Sequence, residues 1–474
     1  MTIPLIMLVS YLALTTVISL FFAKKNSNSQ QYFVAERSLG TAIIVTLLFS
    51  EIIAGAGTIG NAASAFQSGL SAVWANWGMA IGCFIFVPLV ARFYRSMAAS
   101  KGVMSVPQAY EYMFDKRTKT LMIVIVSVVY IILYSTQAVA AASIMAPLLG
   151  LDAMIVTWII TGLFILTTVT GGMKGIAWMN AVHAAVMYIG MVVVATRSVS
   201  TAGGIQTLTQ QLPSTYFSFT QPDLSTTIAN ALGTGLSFLA ASNVTNCVFS
   251  AKSSQAANRG IIIGGLVVIP FALCPALIGI SAKVAMPGIV PNNALYSMAN
   301  SMGSVYGGLV SMAIIAAIWS TAPALLLIIS TTITRDLYKS FLRPESTDKQ
   351  QVRFSKVLVV FVGIIGTLLG MNAGSILGQM LGAFQIRSIA GIVLTCAIFW
   401  PRVNSNAAFW SMLCGGVVAA VWQFGGKPFG IAPLWPAAAV CLIVLIPMTL
   451  HSKEEKSPGH LIYKAAMKQA KDNE

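Results

Sequence analysis

The sequence predicts an all-α membrane protein of about thirteen transmembrane helices. Three observations lead there: the composition, the length of the apolar stretches, and the way Lys and Arg are shared among the loops. Of 474 residues, 57% are apolar and 9% are charged, and mean hydropathy is +0.81. A soluble domain carries roughly a quarter charged residues to keep its surface wet. A helix rises about 1.5 Å per residue, so about 20 apolar residues cross the hydrocarbon core. Stretches of that kind fill the chain.

Taken in order, the expected spans are 3–23, 41–66, 71–94, 119–149, 153–173, 177–198, 226–250, 259–284, 304–334, 354–373, 376–400, 406–425 and 432–450. The first lacks a basic leader and a small-residue cleavage site, so it reads as a spanning helix and not as a cleaved signal peptide. With the N-terminus outside, the inner loops carry 24 of the 28 Lys and Arg residues: 24–39, 92–119, Lys174, Lys252 with Arg259, 335–356, Arg402 and the tail. The long outer loop 199–225 carries none. Basic residues concentrate on the cytoplasmic side of membrane proteins. The net charge of +15 is therefore a topology signal, with the C-terminus cytoplasmic and the chain multi-pass in the cell membrane. No basic stripe interleaved with aromatics marks a nucleic-acid partner. The basic tail 451–474 reads as a solvated helix touching anionic headgroups. The six cysteines stand singly without CxxC spacing and the three histidines do not cluster, so no redox or zinc centre is expected.

Two spans have unusual centres. Residues 50–61 hold Gly55, Gly57, Gly60 and a carboxylate, Glu51; residues 230–246 hold Gly233, Gly235, Ser237, Ser242, Asn243, Thr245 and Asn246. Glycine weakens helix interiors, and unpaired backbone in hydrocarbon costs several kcal/mol per group. Such segments persist where broken helices line a polar cavity, and a matching pair in two halves of a chain points to a transport site. Close helix packing is the alternative use of the same glycines.

Polar groups inside spans are costly and tend to be functional. Glu51 is the one acidic residue expected within a span and Arg387 the one deep arginine. Two readings of this pair stay open: mutual neutralisation, or Arg387 holding a substrate carboxylate by a bidentate contact. In Ala317-Ile-Trp-Ser320-Thr321-Ala-Pro323, adjacent hydroxyls lie near a carbonyl on one helix face, and Pro323 frees the carbonyl of Trp319. Uncharged oxygens of this kind suit a weakly bound monovalent cation, although Ser and Thr also bond back to their own helix.

Several stretches together resemble the sodium:solute symporter family, which includes proline permeases and sodium/glucose cotransporters. They are Tyr32-Phe-Val-Ala-Glu-Arg-Ser-Leu-Gly40, Gly171-Gly-Met-Lys-Gly-Ile-Ala-Trp178, Ser250-Ala-Lys252 with Ala257-Asn-Arg-Gly260, and Ser320-Thr321 followed by Thr334-Arg-Asp-Leu-Tyr338. The resemblance covers about 30–402. It implies a LeuT-like fold of two inverted five-helix repeats, at 41–198 and 226–402. A preceding helix and inner loop (1–40), the outer loop 199–225, two further helices (403–450) and the tail (451–474) complete the chain.

The resemblance also implies Na⁺-coupled symport by alternating access, with Na⁺ as coupling ion and no cofactor. Carried over by position, the sodium site falls on the carbonyls of Ser50, Ile53 and Ala317 and the hydroxyls of Ser320 and Thr321. The substrate face falls on Ile52, Ala54, Gly57 and Asn76, with Tyr134, Gln137, Asn243 and Arg387 as further candidates. Glu51 and Asn180 are candidates for coupling. Many members have Asp where this chain has Asn180, and several have Asp or Ser where it has Pro323-Ala324. One Na⁺ per cycle is therefore expected. His183, one turn beyond Asn180, reads as a satisfied interior histidine.

Arg387 favours a small carboxylate, such as an amino acid or another organic acid, as the solute. A proton-coupled carrier on the same fold, or a Na⁺ symporter for a vitamin, sugar or urea-like solute, is the alternative. No HExxH, GxSxG or paired-Asp motif points to an enzyme.

Overall fold

A computed structural model describes residues 3–23, 29–371, 376–452 and 455–472 of the chain. Lys24, Lys25, Lys453 and the expected boundary between spans 354–373 and 376–400 lie outside the described residues. The rest is helical: α1 Ile3–Ala23, α2 Thr41–Gly55, α3 Asn61–Ser68, α4 Trp74–Phe86, α5 Arg92–Lys101, α6 Val106–Met113, α7 Lys116–Leu149, α8 Ala153–Thr201, α9 Leu224–Phe238, α10 Ser242–Ser250, α11 Ser254–Ala285, α12 Ser304–Thr332, α13 Asp348–Gly370, α14 Ile376–Phe399, α15 Ser405–Phe424, α16 Leu434–Leu450 and α17 Pro458–Asp472. Among the described residues, β-type pairing is confined to one bridge, between Leu39 and Ala251.

By length and hydropathy, nine helices among the described residues can cross a membrane, and Ile3–Ile18 and Leu434–Leu450 are shorter apolar helices. Two of the nine each take in two expected spans. Thr41–Lys101 runs 61 residues, about 90 Å if straight, roughly three times the hydrocarbon thickness. It turns at Gly69 (φ +79°), where the backbone of Tyr216 from the outer loop leaves no room for a Cβ. That loop lies over the turn: Trp74 Nε1 donates to the Phe219 carbonyl at 2.7 Å and Tyr216 donates to that of Phe66 at 3.2 Å. Ala153–Thr201 bends at Gly172 (φ +53°, ψ −166°).

Side-chain caps explain where many helices begin. Asp115, Asp152, Asp223, Ser253, Thr347 and Asn404 each accept a backbone N–H at the first turn of α7, α8, α9, α11, α13 and α15. At a membrane surface those caps stand in for the missing intrahelical partners. The core sits around α12, whose residues from Ala313 to Thr332 are all buried, with Trp319 among the largest fully buried side chains.

The helices break within both stretches flagged in the sequence, though not on a glycine in either. In α2 the break is Ala54, at φ +49° and ψ −177°, a conformation that costs an L-residue with a Cβ on the order of 1–3 kcal/mol. Between α9 and α10 the helix gives way over Leu239–Ala241, with Ala241 extended. Gly55, Gly60 and Gly233 serve packing instead: a Cβ on them would lie 3.1, 3.0 and 3.2 Å from Ile318, Leu377 and Gln385. The two broken helices meet at one end of the molecule. Leu39 N–H donates to the Ser250 carbonyl at 3.0 Å, and Lys252 N–H to that of Leu39 at 2.9 Å. Arg95 Nη1 donates to the carbonyls of Val248 and Ala251 at 3.2 and 2.8 Å.

Candidate functional site

Ser50, Glu51, Ile52 and Ile53 are the last four residues before the break in α2. A helix end leaves its last four carbonyls short of intrahelical partners, and here α12 crosses at that point. Ser320 Oγ lies 2.8 Å from the Ser50 carbonyl and 2.9 Å from that of Ala317. Thr321 Oγ1 lies 3.3 Å from the carbonyls of Ser50 and Glu51 and 3.0 Å from that of Ala317. Two hydroxyl and three carbonyl oxygens, all uncharged and all buried, thus converge from two helices. That donor set fits a monovalent hard cation: it supplies oxygens and no full charge.

Of the five expected sodium ligands, Ser50, Ala317, Ser320 and Thr321 come together. The Ile53 carbonyl accepts the Ala56 N–H across the break, and the carbonyl reached by Thr321 is that of Glu51. Asn180 lies alongside: its carbonyl accepts from Ser50 Oγ at 2.9 Å, and both polar atoms of its buried amide lack a described partner. His183 Nδ1 is hydrogen-bonded to the Tyr11 hydroxyl of α1.

Next to this crossing is a small cavity of about 30 Å³, lined by Glu51, Ile52 and Ala54 of α2, Gln137 of α7, Asn243 of α10, Thr321 of α12 and Arg387 of α14. Tyr130, Met79, Phe238, Met380 and Phe384 add aromatic and apolar wall. Thr321 belongs to both the oxygen cluster and the cavity.

Arg387 is buried to 1% exposure. Its Nε donates to Ser237 Oγ at 2.8 Å and its Nη1 to the Tyr130 hydroxyl at 2.9 Å, while the guanidinium lies over the Tyr130 and Phe384 rings at 5.4 and 5.2 Å. Tyr130 in turn donates to Asn243 Oδ1 and accepts from the Asn243 N–H, both at 3.1 Å. The ion pairs among the described residues are Arg117–Asp115 and Lys119–Glu111, so the expected alternative of Arg387 neutralised by Glu51 is not realised. Hydroxyls and ring faces solvate the guanidinium, but a buried cation without a counter-charge remains several kcal/mol short of its hydration. Arg387 Nη2, Glu51 Oε2 and Gln137 Oε1 are all buried without a partner.

Three expected substrate-face residues lie off the cavity wall. Asn76 Nδ2 donates to the Gly57 carbonyl at 3.1 Å, and a Cβ on Gly57 would come within 2.8 Å of Asn76 Oδ1; the pair braces the helix just past its break. Tyr134 faces α13, where a Cβ on Gly366 would lie 2.5 Å from its ring. Tyr130 was not anticipated, and Ser237 was flagged only as part of the stretch 230–246. Tyr130 is legible in retrospect, because 130, 133 and 137 share one face of α7 by helical spacing.

A profile of the sodium:solute symporter family matches residues 32–415. The high-affinity proline transporter PutP of Bacillus subtilis strain 168 is 24% identical over 444 residues, covering 90% of this chain and 93% of that protein. The sodium/pantothenate symporter of Escherichia coli K12 is 25% identical over 479 residues, covering 93% and 94%. A solved Na⁺-coupled sialic acid symporter, in a substrate-bound outward-open state, superposes with a TM-score of 0.82 at 18% identity, over 95% of this chain and 97% of that one. A nucleobase-cation-symport-1 transporter in a closed conformation gives 0.60 at 18% identity, over 93% and 98%. The fold is LeuT-like. With a family profile spanning most of its length, the chain belongs to the sodium:solute symporter family and couples Na⁺ to the transport of a small organic solute.

Proposed function

We propose that the solute is a small zwitterion of amino-acid type, held with its carboxylate on Arg387 and its ammonium toward Glu51 and Gln137. One observation carries this reading. The unpartnered buried atoms lining the cavity are a guanidinium N–H, a carboxylate oxygen and an amide oxygen. A guanidinium favours a planar carboxylate, whereas a carboxylate and an amide oxygen favour an N–H cation. A neutral sugar or urea would leave both charges buried and unneutralised. Relatives named for proline transport support the same class.

Na⁺ is assigned to the carbonyls of Ser50 and Ala317 and the hydroxyls of Ser320 and Thr321, with the Ile53 carbonyl as a further ligand carried over from the family resemblance. Thr321 is shared by the two sites. An ion that orders the Ser50 carbonyl also orders the adjoining Glu51 and Ile52 on the cavity wall, so each ligand favours binding of the other. With an amide at Asn180 and Pro323-Ala324 after the hydroxyl pair, one Na⁺ accompanies each solute. Gly57 and Asn76 maintain the break and do not touch the solute. The chain crosses the membrane thirteen times with its N-terminus outside, and 41–198 and 226–402 form the inverted repeats whose relative rocking alternates access.

The test is thermal unfolding of the purified protein with an amino-acid panel and with the same compounds N-acetylated or carboxamidated, in NaCl or choline chloride. The expected result is stabilisation by one or a few free amino acids in NaCl only, lost when either end is blocked. Stabilisation by a blocked compound as strong as by its free parent would overturn the zwitterion assignment.

A further inference from the structure

A second pocket lies where the ends of α5 and α6 and the segment that follows α12 meet the start of α7. It is a groove of about 500 Å³, and its ionisable walls are Lys101, Lys116, Lys119, Arg335 and Lys339 against one carboxylate, Glu111. Lys119 is buried and committed, 2.6 Å from Glu111 and 3.0 Å from Ser340 Oγ. Arg335 Nη1 donates to Gln351 at 3.0 Å, while its Nε is buried with no described partner. The nearby buried carboxylate Asp336 accepts from Gln108 at 2.7 Å. Lys101, Lys116 and Lys339 have no described partner. Asp336 and Asp348 act on Arg335 and Glu111 pairs with Lys119, so the positive charges left without a partner in the groove are those of Lys101, Lys116 and Lys339.

We infer that this groove is a binding site for a phosphate-type anion. The repulsion among its cations and the unsatisfied Arg335 N–H are both relieved by one multivalent oxyanion, and basic pockets at the cytoplasmic ends of membrane helices accept phosphorylated headgroups. The rim suits an amphiphile. Tyr112 and Phe341 line the groove and are exposed, and Leu337 and Leu342, on the same segment as Arg335 and Lys339, are exposed beside them. A segment with cations on one side and apolar side chains on another lies in the membrane interface. An anionic lipid headgroup and a soluble phosphorylated compound share the required chemistry. The inference rests on reading the chain as a membrane protein, not on the solute or the direction of transport.

The test compares the wild type with Lys101→Gln/Lys116→Gln/Lys339→Gln in detergent. Thermal stability is followed against added phosphatidylglycerol, phosphatidylcholine and inorganic phosphate, the last balanced with chloride for ionic strength. Phosphatidylglycerol should raise Tm of the wild type while phosphatidylcholine does not, and the triple variant should need roughly 100-fold more lipid for the same rise. Stabilisation by inorganic phosphate as well would identify a soluble phosphorylated anion as an occupant; stabilisation by the lipid alone would identify the headgroup. The charge-conserving Lys→Arg triple should respond as the wild type does, which separates loss of charge from misfolding. No response of the wild type to either probe, or an equal response in the Gln triple, overturns the site.

Discussion

Ser320→Ala removes one oxygen from the crossing of α2 and α12 and leaves the rest of the shape intact. Without Ser320 Oγ, the one side-chain hydroxyl still bonded to the Ser50 carbonyl is that of Thr321, at the longer distance of 3.3 Å. A neutral hydrogen bond contributes about 1 kcal/mol, and a bond to a charged group about 1.5–3 kcal/mol. The ion-free protein should therefore lose about 1 kcal/mol, and Na⁺ about 2 kcal/mol of binding, or roughly 30-fold in affinity. Thermal unfolding against NaCl, with choline chloride holding ionic strength constant, reads both. The Na⁺-free Tm falls slightly, and the onset of the Na⁺-dependent rise moves to about 30-fold higher concentration, because stabilisation follows the ratio of ion concentration to Kd. Ser311→Ala is the control. Ser311 is buried on the same helix and bonds only back to the Gly307 carbonyl at 2.7 Å, so its loss should lower Tm and leave the Na⁺ onset alone. Equal Na⁺ onsets in Ser320→Ala and Ser311→Ala would refute the assignment of the ion to this crossing.

Arg387→Lys keeps the charge but loses the planar fork, so solute affinity in the same assay should fall by about 10-fold or more while the Na⁺ onset is unchanged. Tyr130→Phe should weaken solute binding by a similar factor, since it unties both Arg387 and Asn243; unchanged binding would make that network purely structural. Gly391→Ala puts a Cβ into the Leu236 carbonyl across α14 and α9, whereas a Cβ on Gly416 meets nothing within 4 Å. The first should cost several kcal/mol and the second should be nearly neutral in thermal unfolding. Ala54→Gly should raise Tm by the equivalent of about 1 kcal/mol, by relieving the left-handed residue at the break; a fall in Tm would mean that the backbone does not adopt φ +49° there.

The membrane class was legible because hydrocarbon thickness imposes a length on each apolar stretch; the candidate ion crossing came from the family resemblance, because adjacent hydroxyls such as Ser320 and Thr321 also bond back to their own helix. The break residue was not legible. Glycine marks segments where backbones approach closely, and in 50–61 it does so at Gly55, Gly57 and Gly60, but the left-handed step itself falls on Ala54. Along 230–246 the break comes at 239–241, in an apolar stretch with no turn residue to announce it. Arg387 was singled out by its depth. Its pairing was not: Tyr130 and Ser237 lie 257 and 150 residues away in sequence, and only packing brings them together. The same holds for the apolar wall of Met79, Phe238 and Phe384, drawn from helices whose periodicity says that they are buried but not against what.

The bridge joining Leu39 to Ser250 and Lys252, clasped by Arg95, has a mechanical consequence. It ties the foot of the helix carrying the Ser50 carbonyl to the foot of the helix carrying Asn243. A torque applied to either broken helix at that end is delivered to both. The Ser50 carbonyl and the Asn243 amide therefore ride on helices that are mechanically coupled at that end.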